Sequence, residues 1–154
     1  MKTRTIALTM ALCFIAAAGC LASDVNMGTW KLNEAKSKLA PGATKNQTVV
    51  YQAAGDQMKV TIEGTTADGK SLHIEWTGKF DGKFYPLTGD PNNDERSYKQ
   101  INGRTLEGIS KKAGKVVSTT RIVVAADGKS RTVTSSGTNA KGQKVTTVAV
   151  YDKE

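Results

Sequence analysis

The chain has 154 residues, and its 22 Lys and Arg against 14 Asp and Glu give a net charge of +8 at pH 7. No cysteine occurs after residue 20, and the chain has one histidine, which excludes disulfide and thiol chemistry and a His/Cys zinc site from most of its length. The surplus lysines follow turn glycines and are scattered. They do not form the basic stripe with stacking aromatics that nucleic-acid binding requires, so we expect no nucleic-acid partner.

The first 22 residues have the features of a secretory signal peptide. A basic start, with Lys2 and Arg4, precedes an uncharged apolar run that is too short to be a permanent membrane anchor. We expect residues 1–22 to be removed, or alternatively Cys20 to become a lipidated N-terminus, because the four residues ending there resemble a bacterial lipobox. The protein is then exported, either periplasmic or secreted, or held at a membrane only through that lipid.

The clearest pattern in the rest of the chain runs from Leu72 to Phe80, where apolar residues or glycine alternate with polar ones. Side chains alternate across a strand, so this stretch predicts a strand with one buried and one solvated face. Asp-Gly pairs at 68–69 and 81–82 predict tight hairpin turns at both ends.

Similar short segments, most of them ending in a glycine turn, follow one another to the end of the chain. Residues 23–154 are therefore predicted to form one all-β domain, an antiparallel up-and-down β-barrel of about 8–10 strands. Residues 34–39, just before Pro41, are the place where we expect one helical turn.

The first strand of this domain carries a family resemblance. Gly28-Thr29-Trp30-Lys31-Leu32 resembles the opening strand of the calycins, which include the lipocalins and the cytoplasmic fatty-acid-binding proteins. Residues 85–91 and 148–153 resemble small exported bacterial proteins described as lipocalin-like, which have no assigned activity. The resemblance implies a barrel closed at one end by Trp30. The arginine with which fatty-acid-binding proteins hold a carboxylate has no counterpart, because the matching segment is Ala149-Val150-Tyr151.

Candidate ligand-binding residues come from the aromatic and charged positions of the predicted barrel. Tyr85, Asp90 and Arg96 flank a stiff proline-containing loop and are predicted to border the mouth, although the same loop is also typical of a structural corner. Arg96, Tyr98 and Arg121 offer polar contacts if they face inward. The full set is Trp30, Trp76, Tyr85, Asp90, Arg96, Tyr98 and Arg121.

Catalytic and metal motifs are missing from the sequence. It has no Gly-x-Ser-x-Gly motif, His73 falls on a polar strand face, and residues 90–95 lack the EF-hand pattern. We therefore expect a non-enzymatic protein without metal or cofactor. Two functions remain open: an exported lipocalin-like barrel that binds or carries a small apolar ligand, or a cell-envelope or interaction protein with a filled barrel and no ligand.

Overall fold

The computed structural model describes residues 24–138 and 142–154, so the predicted signal peptide (residues 1–22) and the lipidation site at Cys20 lie outside the described residues. Each strand pairs antiparallel with the next, and the last pairs with the first to close a barrel, which confirms the predicted all-β up-and-down fold. No described residue belongs to a helix long and apolar enough to cross a membrane. The strands are β1 (Gly28–Lys38), β2 (Lys45–Ala54), β3 (Gln57–Thr65), β4 (Ser71–Gly78), β5 (Asp81–Thr88), β6 (Glu95–Asn102), β7 (Thr105–Lys112), β8 (Lys115–Val124), β9 (Ser130–Thr138) and β10 (Lys144–Lys153).

β1 contains a bulge where the helical turn was predicted. Its pairing with β10 shifts register between Asn33 and Lys38. The Ser37 hydroxyl bridges the shift, because it donates to the Asn33 carbonyl at 2.7 Å and accepts from the Val150 amide at 2.9 Å. The prediction of a helical turn at 34–39 is therefore wrong: residues 34–37 form a bulge within β1, which pairs with β10 on both sides of it.

The alternation predicted for β4 is confirmed, but the turn after it is displaced. Buried and more exposed residues alternate along the strand. β4 ends at Gly78 and β5 begins at Asp81, so residues 79–80 form the turn in place of the predicted Asp-Gly pair. Gly82 has a positive φ of 81°, and it lies where the register between β5 and β6 shifts. Phe80 thereby leaves the strand and packs against the buried core.

The loops of the barrel define two ends, because alternate loops of an up-and-down barrel lie on the same side. The Trp30 end carries residues 24–27 and the loops 55–56, 79–80, 103–104 and 125–129. The Arg96 end carries the loops 39–44, 66–70, 89–94 and 113–114.

The Trp30 end is closed by the segment 24–27. Trp30 is 0% exposed, and its indole Nε1–H donates to the Asn26 carbonyl at 2.7 Å. Asn26 is held in turn by Asp24, whose Oδ1 accepts from its amide at 2.9 Å and its Nδ2 at 2.8 Å. Lys153 Nζ donates to a carbonyl of the same segment at 3.1 Å. The barrel therefore has a hydrogen-bonded floor with a buried indole above it.

Replacing this indole tests the floor. We expect Trp30→Ala to lower the free energy of unfolding by about 3–5 kcal/mol, because a buried tryptophan leaves a large cavity. The matched control is Val116→Ala, at a side chain 59% exposed, which we expect to cost no more than about 0.5 kcal/mol. Urea unfolding measures both, and a loss under about 1 kcal/mol for Trp30→Ala would contradict this packing.

Candidate functional site

Aromatic side chains fill one part of the interior. The Trp76 ring stacks on Phe80 with centroids 6.2 Å apart, and Tyr85 and Tyr98 meet it edge-on at 5.8 and 5.0 Å. Gly78 makes room for this packing, since a Cβ there would lie 2.6 Å from the Tyr85 ring and 2.7 Å from the Trp76 ring. β4 and β5 pair at two positions. The aromatic cluster therefore also packs behind the β4–β5 pair, where backbone pairing is short.

The other part of the interior contains a cavity of about 130 Å³. It extends from Arg131, near the Trp30 end, to Arg96, at the Arg96 end, and so runs along the barrel. Its aliphatic wall is formed by Val49, Ile62, Ile122 and Val133. Its other lining residues all carry polar side-chain atoms: Asn46, Tyr51, Arg96, Tyr98, Ser110, Ser118, Thr120, Arg131, Ser135 and Tyr151.

Arg131 contributes a buried positive charge to this cavity. The residue is 2% exposed, and its guanidinium carbon lies 4.7 Å from the ring centre of Trp30, 4.9 Å from Tyr51 and 5.0 Å from Tyr151. These distances allow cation–π attraction. In the described part of the chain, its Nε and Nη1 atoms have no hydrogen-bond partner. Burying a charged group whose N–H donors lack hydrogen-bond partners lowers the stability of the fold. An apolar side chain at position 131 would avoid this cost.

Arg96 differs from Arg131 because a carboxylate neutralises it. Its Nη2 lies 3.5 Å from Asp90 Oδ2, and the two side chains are 14% and 8% exposed. Its Nε donates to the Ser110 hydroxyl at 3.0 Å, and its carbonyl accepts from the Trp76 indole at 3.0 Å. Desolvation by burial lowers the pKa of Arg96, but Tyr98 and Asp90 more than offset this and hold the pKa above its ordinary value.

Three tyrosines line the cavity, and the hydroxyl pKa values of two of them, Tyr51 and Tyr151, are strongly shifted. Burial raises the pKa of Tyr51 and that of Tyr151 to about 12, although the positive charge of Arg131 opposes the shift in both. The Tyr151 hydroxyl donates to the Asn46 carbonyl at 3.0 Å. Both groups are therefore neutral near pH 7, and the guanidinium of Arg131 has no tyrosinate counter-ion.

Four of the residues selected from the sequence lie in or beside the cavity. Arg96 and Tyr98 line it. Trp30 packs beneath Arg131, which does line it. Trp76 belongs to the aromatic cluster and touches the cavity only through Tyr98 and the backbone of Arg96.

Arg121 faces the outside of the barrel. It forms an ion pair with Glu107 across β7 and β8, and its side chain is 52% exposed. The inward orientation that a role for Arg121 in ligand binding requires is therefore absent.

The three residues predicted to border the mouth are neighbours in the backbone, but their side chains diverge. Tyr85 pairs with Arg96 across β5 and β6, and Arg96 pairs with Asp90. The Tyr85 ring turns towards Trp76, and its hydroxyl donates to Asp81 at 3.0 Å. Asp90 and Arg96 thus lie together at the Arg96 end, while the Tyr85 side chain packs against Trp76 in the aromatic cluster.

Arg131 was missed from the sequence although its strand was recognised. It shares the inward side of β9 with Val133, which was the available signal. Thr132 and Thr134 on the outward side of β9 are small and polar, like Ser135 on the inward side. The alternation of apolar and polar residues along β9 is therefore too weak to show which side faces the interior. Arg121 was chosen instead, yet it lies on the opposite side of its strand from Ile122, which is buried.

His73 lies outside the cavity, on the outer face of β4. Its Nδ1 is 2.5 Å from Glu63 Oε1, and its Nε2 is 3.8 Å from Glu75 Oε1. Within residues 24–138 and 142–154, no group of three or more His, Cys, Asp or Glu side chains is arranged to hold a metal ion.

Comparison with known proteins gives similarity of fold only. No protein-family model and no curated protein matches the chain. One similar solved structure is EF1p2_mFAP2b bound to DFHBI, with 10% identity, a TM-score of 0.48, and coverage of 86% of this chain and 97% of that one. Another is a redesigned β-barrel, mFAP1, bound to DFHBI, with 12% identity, a TM-score of 0.44, and coverage of 84% and 95%. Similarity this low carries no argument about what this chain binds.

Gly78 provides a test of the aromatic cluster. Gly78→Ala places a methyl group against Tyr85 and Trp76, and we expect it to lower the free energy of unfolding by about 1–3 kcal/mol. At Gly103 an added Cβ has nothing within 4 Å, so Gly103→Ala is the matched control and should change stability by no more than about 0.5 kcal/mol. Equal costs in chemical denaturation would show that the cluster is loosely packed.

The raised tyrosine pKa values predict a loss of stability at alkaline pH. Because their folded pKa values of about 12 exceed the ordinary 10.0, Tyr51 and Tyr151 contribute stability that is complete below pH 10 and is lost as pH rises towards 12. Thermal unfolding between pH 9 and 12 measures this, and the fall should be shallower in Tyr51→Phe. Absorbance at 295 nm gives the control, since all tyrosines should ionise near pH 10 in concentrated urea. Ionisation of more than two of the four tyrosines near that pH in the folded protein would contradict the burial of Tyr51 and Tyr151.

Proposed function

We propose that this chain is an exported, non-enzymatic protein of calycin type that binds one compact small molecule inside its barrel. The observation that carries the proposal is the cavity of about 130 Å³, in which polar side chains from β2 and from β6 to β10 converge. Barrels of this size are either filled by side chains or hold one small ligand. Small-molecule sites are concave and orient their ligand through convergent polar groups.

The size of the cavity limits the ligand. Pockets for drug-sized ligands usually measure about 300–1,000 Å³. An engineered cavity of about 150 Å³ takes up benzene, so the space here is close to that of one small ring, and a substituted ring enters it only if lining side chains adjust. Since polar residues dominate the lining, we propose a ligand with a polar group on a small apolar body, where the sequence led us to expect a small apolar ligand. A long acyl chain does not fit unless side chains move.

The position of the histidine supports a non-enzymatic role. Many hydrolytic sites need a histidine beside a nucleophile. The one histidine of the chain, His73, lies on the outer face, with its side chain 57% exposed. The serines and threonine that line the cavity therefore have no imidazole base beside them.

The proposal that the protein is exported rests on the leader pattern of residues 1–22 alone.

A filled barrel that acts as an interaction protein is the second candidate. The aromatic cluster favours it, because its rings pack together within the buried core. Large apolar side chains also lie on the outside, namely Ile101, Ile109, Val116 and Val123, which are 37–59% exposed. They are spaced along three strands, however, and single exposed apolar residues are common in soluble proteins.

Titration with compact molecules distinguishes the two candidates. The panel contains a carboxylate, an amide and an amine on the same ring: benzoate, benzamide and benzylamine. Backbone amide NMR reports entry into the barrel through shifts at Ile122 and Val133, which line the cavity. We expect at least one probe to shift these signals in the wild type.

Paired variants give the control. Ser118→Leu fills the cavity and should abolish the shifts, whereas Thr119→Leu places the same side chain on the exposed face of β8 and should leave them unchanged. Absence of shifts with every probe, or unchanged binding in folded Ser118→Leu, would favour the filled barrel.

A further inference from the structure

We infer that Arg131 makes the cavity an oxyanion site, so that the ligand carries a carboxylate or a similar planar anion that accepts hydrogen bonds from the guanidinium. This inference rests on the proposed function, because it assigns the chemistry of the same cavity. Charged hydrogen bonds between a guanidinium and a carboxylate are among the strongest that proteins form. The remaining body of the ligand would face the aliphatic wall of the cavity.

The first step of the argument is the unmet hydrogen-bonding capacity of Arg131. The residue lines the cavity and is 2% exposed, so bulk water does not solvate its charge. Its Nε and Nη1 atoms are unpartnered within the described residues. Buried polar groups are nearly always hydrogen-bonded, and exceptions are often explained by a functional site. A guanidinium only donates, so its partner must supply acceptor oxygens.

The aromatic neighbours of Arg131 do not meet this need. The rings of Trp30, Tyr51 and Tyr151 lie 4.7–5.0 Å from the guanidinium carbon. Their π faces attract the positive charge, and the Tyr51 hydroxyl has a side-chain hydrogen bond with Arg131, but Nε and Nη1 are still without a partner among the described residues. The rings therefore position the guanidinium and shield it from water while leaving donors available to a ligand.

The charge of the cavity leads to the same ligand class. Two guanidinium groups line it, and the Arg96 group is paired with Asp90. The Arg131 group is left with one uncompensated positive charge. In a site of low dielectric constant, a ligand with one negative charge is favoured over a neutral molecule of the same shape, and a cation is disfavoured.

The position of Arg131 defines how such a ligand would lie. Arg131 is the second residue of β9, near the closed Trp30 end, while the serines at positions 110, 118 and 135 lie towards the Arg96 end. An anionic group bound to Arg131 would therefore sit deep in the cavity. The ligand class is a compact monoanion such as a short-chain or monocyclic carboxylic acid.

The test compares benzoate with benzamide, which has nearly the same shape and no charge. In the wild type, benzoate should bind about ten- to a hundredfold more tightly than benzamide, as expected for one charge-assisted hydrogen bond or two. Benzoate should also shift the Arg131 Nε–Hε NMR signal, which is assigned by its loss in Arg131→Lys. An unshifted signal with benzoate bound in the cavity, or equal affinity for the two probes, would overturn the inference.

Variants test whether Arg131 causes the preference. Arg131→Met should remove the preference for benzoate but keep binding of benzamide, and Arg131→Lys should keep part of the preference. The matched control is Arg121→Met on the outer face, which should behave like the wild type. If Arg131→Met does not fold, the Arg131→Lys affinities and the wild-type Nε–Hε shift decide the question.

The outcomes separate this inference from the proposed function. Binding of benzamide without a preference for benzoate overturns the anion site and leaves a small-molecule barrel. Failure of all probes to enter the barrel overturns both. A preference for benzoate that survives in Arg131→Met overturns the role of Arg131 alone and points to Arg96 as the anchor.

Discussion

Closure of the ring of strands is the constraint on which the rest of this structure depends. Pairing between β1 and β10 leaves no free strand edge, and an all-β protein otherwise needs to protect such edges. A closed ring of ten strands also sets the interior volume that side chains must fill. The two parts of the interior differ in how completely side chains fill them. Aromatic rings around Trp76 fill one part, whereas small residues on β7, β8 and β9 leave space in the other.

Arg131 occupies that space at a cost to stability. An apolar residue of similar volume would avoid desolvating a charge, and replacing buried charges in this way is often neutral or stabilising in other proteins. Packing against Trp30, Tyr51 and Tyr151 offsets part of the cost but leaves hydrogen-bond donors unpartnered among the described residues. Departures of this kind from the rules of stable packing are expected at functional sites. Arg96, which is paired with Asp90, shows how the same fold treats an arginine that it neutralises.

The sequence predicted the features that depend on local pattern. Strict alternation along β4 and regular glycine turns were sufficient to predict an all-β barrel. The helical turn at 34–39 was wrong because β1 pairs with β10 on both sides of this segment, which makes it a bulge within a strand. The inward side of β9 was not predictable, because Thr132 and Thr134 are as compatible with burial as Ser135. The orphan donors of Arg131 follow from the arrangement of three distant rings around it, which no local pattern encodes.

Whether Arg131 holds an oxyanion inside the barrel is tested most directly by a high-resolution crystal structure of the protein grown with benzoate. The expected result is a carboxylate oxygen about 2.7–2.9 Å from a guanidinium nitrogen of Arg131, with the ring of the ligand against Ile122 and Val133. The contradictory result is a cavity without benzoate, in which ordered waters satisfy Nε and Nη1 or the Arg131 side chain points to solvent.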